Sequence, residues 1–211
     1  MHAAARQLSL TPRNLSFSIV ACCIRALRFI QWGCHFFKKD PSDGSVVPFH
    51  QDAQYWPLSP QRTCTVWLAF WDSDEANGAM RVVKGSHRLG ALRHHQIPEL
   101  NENGVNVLNQ EADEDQIDTT KVVSLNLKAG QLSLHDDGLL HGSLANTDTR
   151  VRCGLTMRYC PTEVKCDLDV WPTYESMIAR GVDKFRHNPE GSPPNGFAVP
   201  RKMFPHTSEF A

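Results

Sequence analysis

Hydrophobic and polar residues alternate along several short segments of the chain, and the alternation is clearest from Val151 to Tyr159. Apolar or aromatic side chains fall on one face of this segment, and arginine, glycine and threonine residues fall on the other. Because period two is the repeat of a β-strand, the pattern predicts a strand here. Similar apolar or β-branched runs predict further strands at 30–39, 46–52, 63–71, 79–83, 122–127 and 132–135.

Turn signals separate these strands, which indicates an antiparallel β-sandwich or β-barrel. The polar, acidic segment 99–120 has no clear period, and we expect a long loop at the entrance of the fold. In the tail that follows Pro161, the pattern indicates a short helix near Tyr174–Arg180. We expect a single domain over residues 1–211, with a barrel at 30–161, an atypical N-terminal segment at 1–29 and a C-terminal tail at 162–211 that packs on the barrel.

The polar face of Val151–Tyr159 has two interpretations. In a simple sandwich this face points to water, whereas in a small barrel with an internal active site it lines the interior. The pattern of this strand alone does not decide between them.

Charge and composition exclude some classes of partner. The 22 Lys and Arg residues nearly balance the 23 Asp and Glu residues, and the net charge of −1 argues against a nucleic-acid-binding protein. Hydrophobic residues make up 41% of the chain and charged residues 21%, as in ordinary globular domains. The apolar stretch Leu15–Ile24 is too short to span a bilayer stably. We expect a small-molecule substrate and favour a monomer.

Seven cysteines without any Cys-x-x-Cys pair predict mostly buried, reduced thiols, and hence a cytoplasmic protein. The alternative is a targeting segment. No acidic residue precedes Asp40, and basic residues flank the apolar stretch Leu15–Ile24, which is also typical of signal or transit segments.

The ten histidines invite a search for metal ligands. In His50-Gln51-Asp52 the two outer side chains share one face of an extended segment, so both can bind one metal ion. His141 lies 91 residues further on, in a second strand region, and supplies a third ligand. Two histidines and one carboxylate form the facial triad of non-haem Fe(II) oxygenases, which leaves three coordination positions open.

A second pair of the same type, His135-Asp136-Asp137, competes with the first. Only His187 and His206 follow it, and both lie in the irregular tail. We therefore assign the metal to His50, Asp52 and His141. We interpret His135 as a strand histidine whose hydrogen bonds are satisfied by its neighbours.

Three segments together resemble the phytanoyl-CoA dioxygenase family: HQDAQYWPLSP, TVWLAFWDSDEANGAMRVVKGSHR and GQLSLHDDGLLHGSLANTDTRVRCGLTMRY. The resemblance runs from about Ile30 to Pro161, whereas residues 1–29 do not resemble the longer N-terminal region that members usually have. It implies an all-β core with few helices, folded as a double-stranded β-helix (a cupin-like jelly roll). It also implies an enzyme that uses Fe(II), 2-oxoglutarate and O₂.

The resemblance assigns roles to particular residues. It implies that His50, Asp52 and His141 bind the iron, and that Arg152, eleven residues after His141, binds the far carboxylate of 2-oxoglutarate. Arg150 shares the face of Arg152, so the family spacing and not the alternation selects Arg152. Further candidates are Thr65 as a hydroxyl neighbour of the 2-oxoglutarate, and Tyr55, Trp56 and Trp67 as walls of the substrate pocket.

The implied reaction is hydroxylation of a C–H bond in a small-molecule or acyl substrate, with release of succinate and CO₂. Two alternatives remain open at this point. One is a truncated, catalytically inactive paralogue that keeps the fold. The other is a metal-binding, cupin-like protein without oxygenase activity, against which the presence of Arg152 argues.

Overall fold

A computed structural model describes residues 28–101 and 104–192. Its strands are β1 (Phe29–Lys39), β2 (Val47–His50), β3 (Leu58–Ser59), β4 (Cys64–Ala69), β5 (Met80–Val83), β6 (His94–Gln96), β7 (Leu100–Asn101), β8 (Gly104–Val105), β9 (Gln110–Ala112), β10 (Val122–Ser124), β11 (Leu132–Asp136), β12 (His141–Ser143), β13 (Arg152–Pro161), β14 (Lys165–Cys166) and β15 (Met177–Arg180). The helices among the described residues are single 3-10 turns at Asp52–Gln54, Ser86–Arg88, Glu114–Gln116 and Thr119–Lys121.

Two antiparallel sheets form the barrel. The larger sheet has the order β11-β4-β13-β1-β15, and the smaller sheet has the order β10-β5-β12-β2. The prediction of an all-β, double-stranded β-helix with few helices is therefore confirmed. No helix among the described residues is long and apolar enough to cross a membrane.

The strands β4, β11 and β13 of the larger sheet are buried on both faces. One face carries a hydrophobic cluster that includes Val66, Leu134 and Tyr159. The residues that alternate with these, among them Thr65, His135 and Arg158, are polar and also buried. Because successive side chains of a strand point to opposite faces, this polar face lines the interior of the barrel. The second interpretation of the alternating segment Val151–Tyr159 is thus the correct one.

The C-terminal tail differs from the prediction. The segment Tyr174–Arg180 is not helical, since Met177–Arg180 forms β15 at the edge of the larger sheet. Ile178 lies opposite Ile30 of β1, and this pairing satisfies backbone groups that a free edge would expose to solvent. A helix of about seven residues is marginal by itself in water, so the available sheet edge determines the structure.

The segment 99–120 is less irregular than predicted. It contains the short strands β7, β8 and β9 and two 3-10 turns. Strand β9 pairs with β6, and β7 pairs with β8. Strands of two or three residues are too short to produce a clear alternation, which explains why the sequence pattern does not reveal them.

The cysteines of the described residues form no disulfide with one another: Cys64, Cys153, Cys160 and Cys166 are buried, and Cys34 is exposed. Most of them therefore fill space in the interior, as predicted.

A close contact between β4 and β13 fixes the inner face of the larger sheet. The indole ring of Trp67 lies directly over Gly154, and a Cβ atom added to Gly154 would lie only 2.2 Å from Cζ2 of the ring. Glycine is thus required at this position for the ring to pack against the strand.

We expect Gly154→Ala to lower the free energy of unfolding by about 1–3 kcal/mol, because the added methyl group forces the Trp67 ring or the strand to move. Gly33→Ala is the matched control. A Cβ at Gly33, in the neighbouring strand β1, meets its nearest atom at an ordinary 3.5 Å. Urea denaturation of both variants measures the difference, and equal destabilisation by the two substitutions would contradict the packing argument.

Candidate metal centre and cosubstrate site

The pair His50 and Asp52 stands where β2 ends and a 3-10 turn begins. Gln51 between them is extended, with φ −103° and ψ 129°, so the two outer side chains point to the same side. The Gln51 amide points away and binds other segments. Its Nε2 donates to the carbonyl oxygens of Gly90 and Gly138, at 2.9 and 2.7 Å, and its Oε1 accepts from the backbone N–H of Leu92 at 2.8 Å.

Gln51 thus holds the segment between His50 and Asp52 in place, a role that the sequence motif did not predict. The middle residue of a His-x-Asp pair must face away from a metal bound by the outer two. The sequence signal for this role was a long polar side chain, that of Gln51, at a position that faces the protein body.

His141 enters the site from β12. It lies directly opposite His50 in the antiparallel pairing of β12 with β2. Candidate ligand atoms of His50, Asp52 and His141 all lie within 4.8 Å of one another, and all three residues are buried. Nε2 of His50 is 3.6 Å and Nε2 of His141 is 3.9 Å from the same carboxylate oxygen, Oδ1 of Asp52.

Backbone carbonyl groups orient both imidazole rings. Nδ1 of His50 donates to the carbonyl oxygen of Pro48 at 2.8 Å, and Nδ1 of His141 donates to that of Leu139 at 2.9 Å. Because a carbonyl oxygen only accepts, the proton is on Nδ1 and the lone pair of Nε2 faces Asp52. This is the orientation in which histidine binds a metal ion.

The electrostatics of the site also suit a cation. Burial and the neighbouring His50 lower the pKa of His141 to about 3, so the ring is neutral at pH 7 and able to bind a metal. Burial by itself would raise the pKa of the Asp52 carboxyl, but His141, His135 and His50 hold it well below its usual range. Two imidazoles and one carboxylate fit Fe(II) by donor type.

His135 and Thr65 contact the second carboxylate oxygen of Asp52. The Thr65 hydroxyl donates to Oδ2 at 3.5 Å, and Nε2 of His135 lies 3.8 Å from the same atom. His135 is buried in β11 as predicted for a strand histidine, but the prediction that neighbours satisfy its ring is wrong. Its Nδ1 has no hydrogen-bond partner among the described residues. Only the pairing register, which the sequence does not show, places it beside Asp52.

The structure places Thr65 away from Arg152. Thr65 lies opposite Arg158 in the pairing of β4 with β13. Arg158 and Arg152 are six residues apart on β13, so their Cα atoms are about 20 Å apart. Thr65 is therefore a neighbour of the candidate metal ligands and does not lie beside the residue expected to hold the far carboxylate.

Arg152 is a buried cation without a protein counter-ion. It is 5% exposed, its guanidinium stacks on Trp67 at 4.8 Å, and its Nε has no hydrogen-bond partner among the described residues. No carboxylate of the described residues lies within 4 Å of it. Burial lowers its pKa to about 10, which still leaves it charged at pH 7. An unpaired buried charge is costly, and a bound anion would compensate it.

Two more buried polar residues belong to this region: Lys39 lies near Arg152, and Ser143 lies near His141. Lys39, opposite Arg152 on β1, donates to the carbonyl oxygens of Ser45 and Leu144 at 2.6 Å each. Burial, with Arg152 adding to the effect and Asp43 opposing it, lowers its pKa to about 8. Ser143 is two residues beyond His141 on β12, and its buried hydroxyl has no partner among the described residues. The sequence signal for Ser143 as a candidate site residue was its position two residues after His141, which places both side chains on one face of the strand.

Arg150 differs in every respect. It is exposed at 47% of its side chain, and its guanidinium donates to Asp74 at 2.9 and 3.0 Å and to Asp148 at 2.8 and 2.5 Å. Its donors are already occupied. The structure therefore separates two arginines that the sequence alternation leaves equivalent.

The three aromatic candidates do not form one wall. The Tyr55 ring stands edge-on to His50 at 5.7 Å, and its hydroxyl donates to the carbonyl oxygen of Gln110. Trp56 packs against Trp32 at 4.8 Å. Trp67 lies against Arg152, two residues along β4 from Thr65.

A double-stranded β-helix with two histidines and one aspartate in its interior is the architecture of non-haem iron oxygenases. The chain matches the model of the phytanoyl-CoA dioxygenase (PhyH) family over residues 5–154 and belongs to this family. The match begins 25 residues before Ile30, so the expectation that residues 1–29 lie outside the resemblance is wrong for residues 5–29. A family resemblance that is spread over many weak residue preferences does not produce a recognisable motif. Residues 1–27, with the candidate targeting segment, lie outside the described part of the structure.

Relatives and solved structures agree with the family. The chain is 30% identical over 127 residues to a phytanoyl-CoA dioxygenase domain-containing protein 1 homolog of Dictyostelium discoideum, covering 60% of this chain and 45% of that protein. It is 33% identical to a phytanoyl-CoA dioxygenase of Arabidopsis thaliana, covering 56% and 39%. The chain thus spans less than half the length of these two relatives. A non-heme monooxygenase structure, ThoJ, matches with a TM-score of 0.68 and 29% identity, covering 84% of this chain and 62% of that one.

We expect Asp52→Ala to abolish Fe(II) binding, since one of three candidate ligands is lost, while the protein stays folded. His135→Gln should weaken binding by about 10- to 100-fold, the usual effect of losing a group that orients a ligand. His95→Gln is the control, because His95 is exposed and pairs with Asp113. Anaerobic calorimetric titration with Fe(II) measures all three.

The outcomes separate ligand from orienting residue. Wild-type affinity in Asp52→Ala would remove Asp52 from the site. Complete loss in His135→Gln would make His135 a ligand, and unchanged affinity would leave it without a role in metal binding.

Proposed function

We propose that the protein is a 2-oxoglutarate-dependent non-haem iron dioxygenase that hydroxylates a C–H bond of a small-molecule or acyl substrate. The observation that carries the proposal is the presence of two features in the interior of one barrel. His50, Asp52 and His141 offer a metal three ligands, and Arg152 offers an uncompensated buried charge. 2-Oxoglutarate needs both, because one end chelates a metal ion and the other end is a carboxylate.

Bound together, the iron and 2-oxoglutarate would supply the oxidation of the substrate by O₂, with release of succinate and CO₂. The chain itself contributes binding, orientation and exclusion of water. His50 and His141 present their Nε2 atoms because Pro48 and Leu139 hold the opposite ring nitrogens. Asp52 supplies one negative charge and is in turn held by Thr65.

At the other end of the cosubstrate, Arg152 would bind the carboxylate through the planar fork of its guanidinium. Trp67 covers this guanidinium and keeps water from it, which strengthens the interaction. The unpartnered Nε of Arg152 supplies a donor to such a carboxylate, and the unpartnered hydroxyl of Ser143, on the face of His141, is a further candidate donor.

A relative from Stutzerimonas stutzeri supports the choice of cosubstrate. It is named a probable alpha-ketoglutarate-dependent hypophosphite dioxygenase, and it is 25% identical to this chain over 187 residues, which cover 80% of this chain and 63% of that protein. The name gives the cosubstrate of that protein. We infer the same cosubstrate here from Arg152, and its unpaired charge also argues against a cupin-like protein that only binds metal. The intact set of two histidines and an aspartate argues against an inactive paralogue.

An anaerobic titration tests the proposal without knowledge of the substrate. Addition of 2-oxoglutarate to the Fe(II)-loaded protein should produce a weak visible charge-transfer band, since the 2-oxo acid chelates the iron. Asp52→Ala, which lacks one metal ligand, should show no band. A wild-type protein that binds Fe(II) but gives no band with 2-oxoglutarate would refute the proposal.

The two neighbouring arginines give a sharper prediction. Arg152→Ala should raise the dissociation constant for 2-oxoglutarate by well over tenfold while sparing Fe(II) binding, because a buried charge-assisted contact is lost. Arg150→Ala should change it by less than about threefold, since Arg150 is exposed and already paired with Asp74 and Asp148. Calorimetric titration with Fe(II) present and O₂ excluded decides the matter. Loss of 2-oxoglutarate binding in Arg150→Ala alone would transfer the anchoring role to that residue.

A further inference from the structure

A second buried arginine, Arg158, borders a cavity on the inner face of the larger sheet. The cavity has a volume of about 590 Å³, and its lining includes Trp32, Trp56, Trp171 and Tyr174 besides Arg158. The guanidinium lies 5.1 Å from the ring of Trp56 and 5.8 Å from that of Trp32. The volume suits a small organic molecule, and a lining rich in aromatic side chains with few charged groups is typical of a ligand site.

The polar atoms at this cavity that lack partners among the described residues can all donate a hydrogen bond. They are Nε of Arg158, Nε1 of Trp32 and the Tyr174 hydroxyl, which can also accept. Nη1 of Arg158 lies 2.7 Å from Nδ1 of His35. Burial and Arg158 both lower the pKa of His35, so the ring is neutral and its Nδ1 accepts this bond. Unsatisfied donors without matching acceptors call for a ligand rich in acceptor atoms.

The charge of Arg158 is not neutralised by an ion pair. The side chain is only 9% exposed, and no carboxylate of the described residues lies within 4 Å of it. Two acids are in the vicinity. Asp52 is near enough for its charge to act on Arg158, but it belongs to the candidate metal centre, and Glu175 borders the cavity as an exposed residue.

Two lining residues, Arg158 and Trp56, connect the cavity to the candidate metal centre, although none of the candidate ligands lines it. Arg158 lies opposite Thr65 in the pairing of β13 with β4, and the Thr65 hydroxyl contacts Asp52. Trp56 follows Asp52 by four residues, just beyond the 3-10 turn. The Cα atoms of Arg152 and Arg158 are about 20 Å apart along β13. The two guanidinium groups contact different aromatic rings, Trp67 for Arg152 and Trp32 and Trp56 for Arg158, so they define separate positions for an anion.

We propose that this cavity is the substrate site and that it takes a small carboxylic acid, with the carboxylate on Arg158 and the apolar body against Trp32 and Trp56. The proposal rests on the proposed function, because it places the substrate beside the iron that such a dioxygenase requires. A carboxylate supplies acceptors to the unpartnered donors and a charge to the buried guanidinium, whereas a neutral ligand supplies only the first.

Matched pairs of acids and amides test the proposal. The pairs are 3-phenylpropanoate and 3-phenylpropanamide, indole-3-propanoate and its amide, and octanoate and octanamide. Each is titrated calorimetrically into the protein loaded with Fe(II) and saturating 2-oxoglutarate, without O₂, so that Arg152 is already occupied. At least one acid should bind ten or more times as tightly as its amide, because only the acid pairs with the buried charge.

Variants assign the preference to a residue. Arg158→Gln should abolish the tenfold preference and leave the affinity of the amide within about threefold. Arg158→Lys, which keeps the charge, should retain a preference for the acid, and it serves as the second test if Arg158→Gln does not fold. Arg150→Gln is the control and should behave as the wild type, because Arg150 is on the surface.

Three results would overturn the proposal: no acid preferred over its amide by the wild type, a preference that survives Arg158→Gln, or one that is lost in Arg152→Gln but not in Arg158→Gln. The proposed function fails separately. Absence of the visible band with 2-oxoglutarate refutes the dioxygenase. A normal band together with no preference for any acid refutes only the substrate site.

Discussion

Buried charge is the constraint on which the arrangement of the barrel depends. The inner face of the larger sheet carries buried polar and charged side chains, and an unpaired buried charge is strongly unfavourable. Asp52 lies among histidines and a threonine, and a bound metal cation would compensate its negative charge. Arg152 and Arg158 have no protein carboxylate within ion-pair distance among the described residues. The interior thus has an anionic position at the candidate metal ligands and two cationic positions on β13.

The geometry of the candidate metal centre depends on backbone structure more than on side-chain packing. The pairing of β2 with β12 places His50 opposite His141, and two carbonyl groups set the orientation of the rings. Gln51 ties the segment between His50 and Asp52 to two loops. Because each of these interactions uses backbone atoms, the positions of the ligands are fixed before any metal binds.

The sequence predicts the strands and the candidate ligands well, since both leave local signals. Alternation identifies β13 and the family spacing separates Arg152 from Arg150. What the sequence does not show is which residues face each other across strands. The register of β4 brings Thr65 to Asp52 and to Arg158, and that of β11 brings His135 to the same carboxylate. The tail is a further example, because Met177–Arg180 becomes a strand only through the edge of β1. These relationships depend on long-range pairing and have no counterpart in local composition.

Strand β13 carries both unpaired arginines on one continuous backbone element. A slip of its register by a single residue would turn Arg152 and Arg158 out of the barrel together and bring apolar side chains in. A change in the register of β13 would therefore move Arg152 and Arg158 together, and neither residue can shift along the sheet without the other. Divergence of ligand preference within this fold must then proceed through side-chain replacement at fixed backbone sites. The backbone of β13 fixes the spacing of positions 152 and 158, and only the side chains at these positions are free to change.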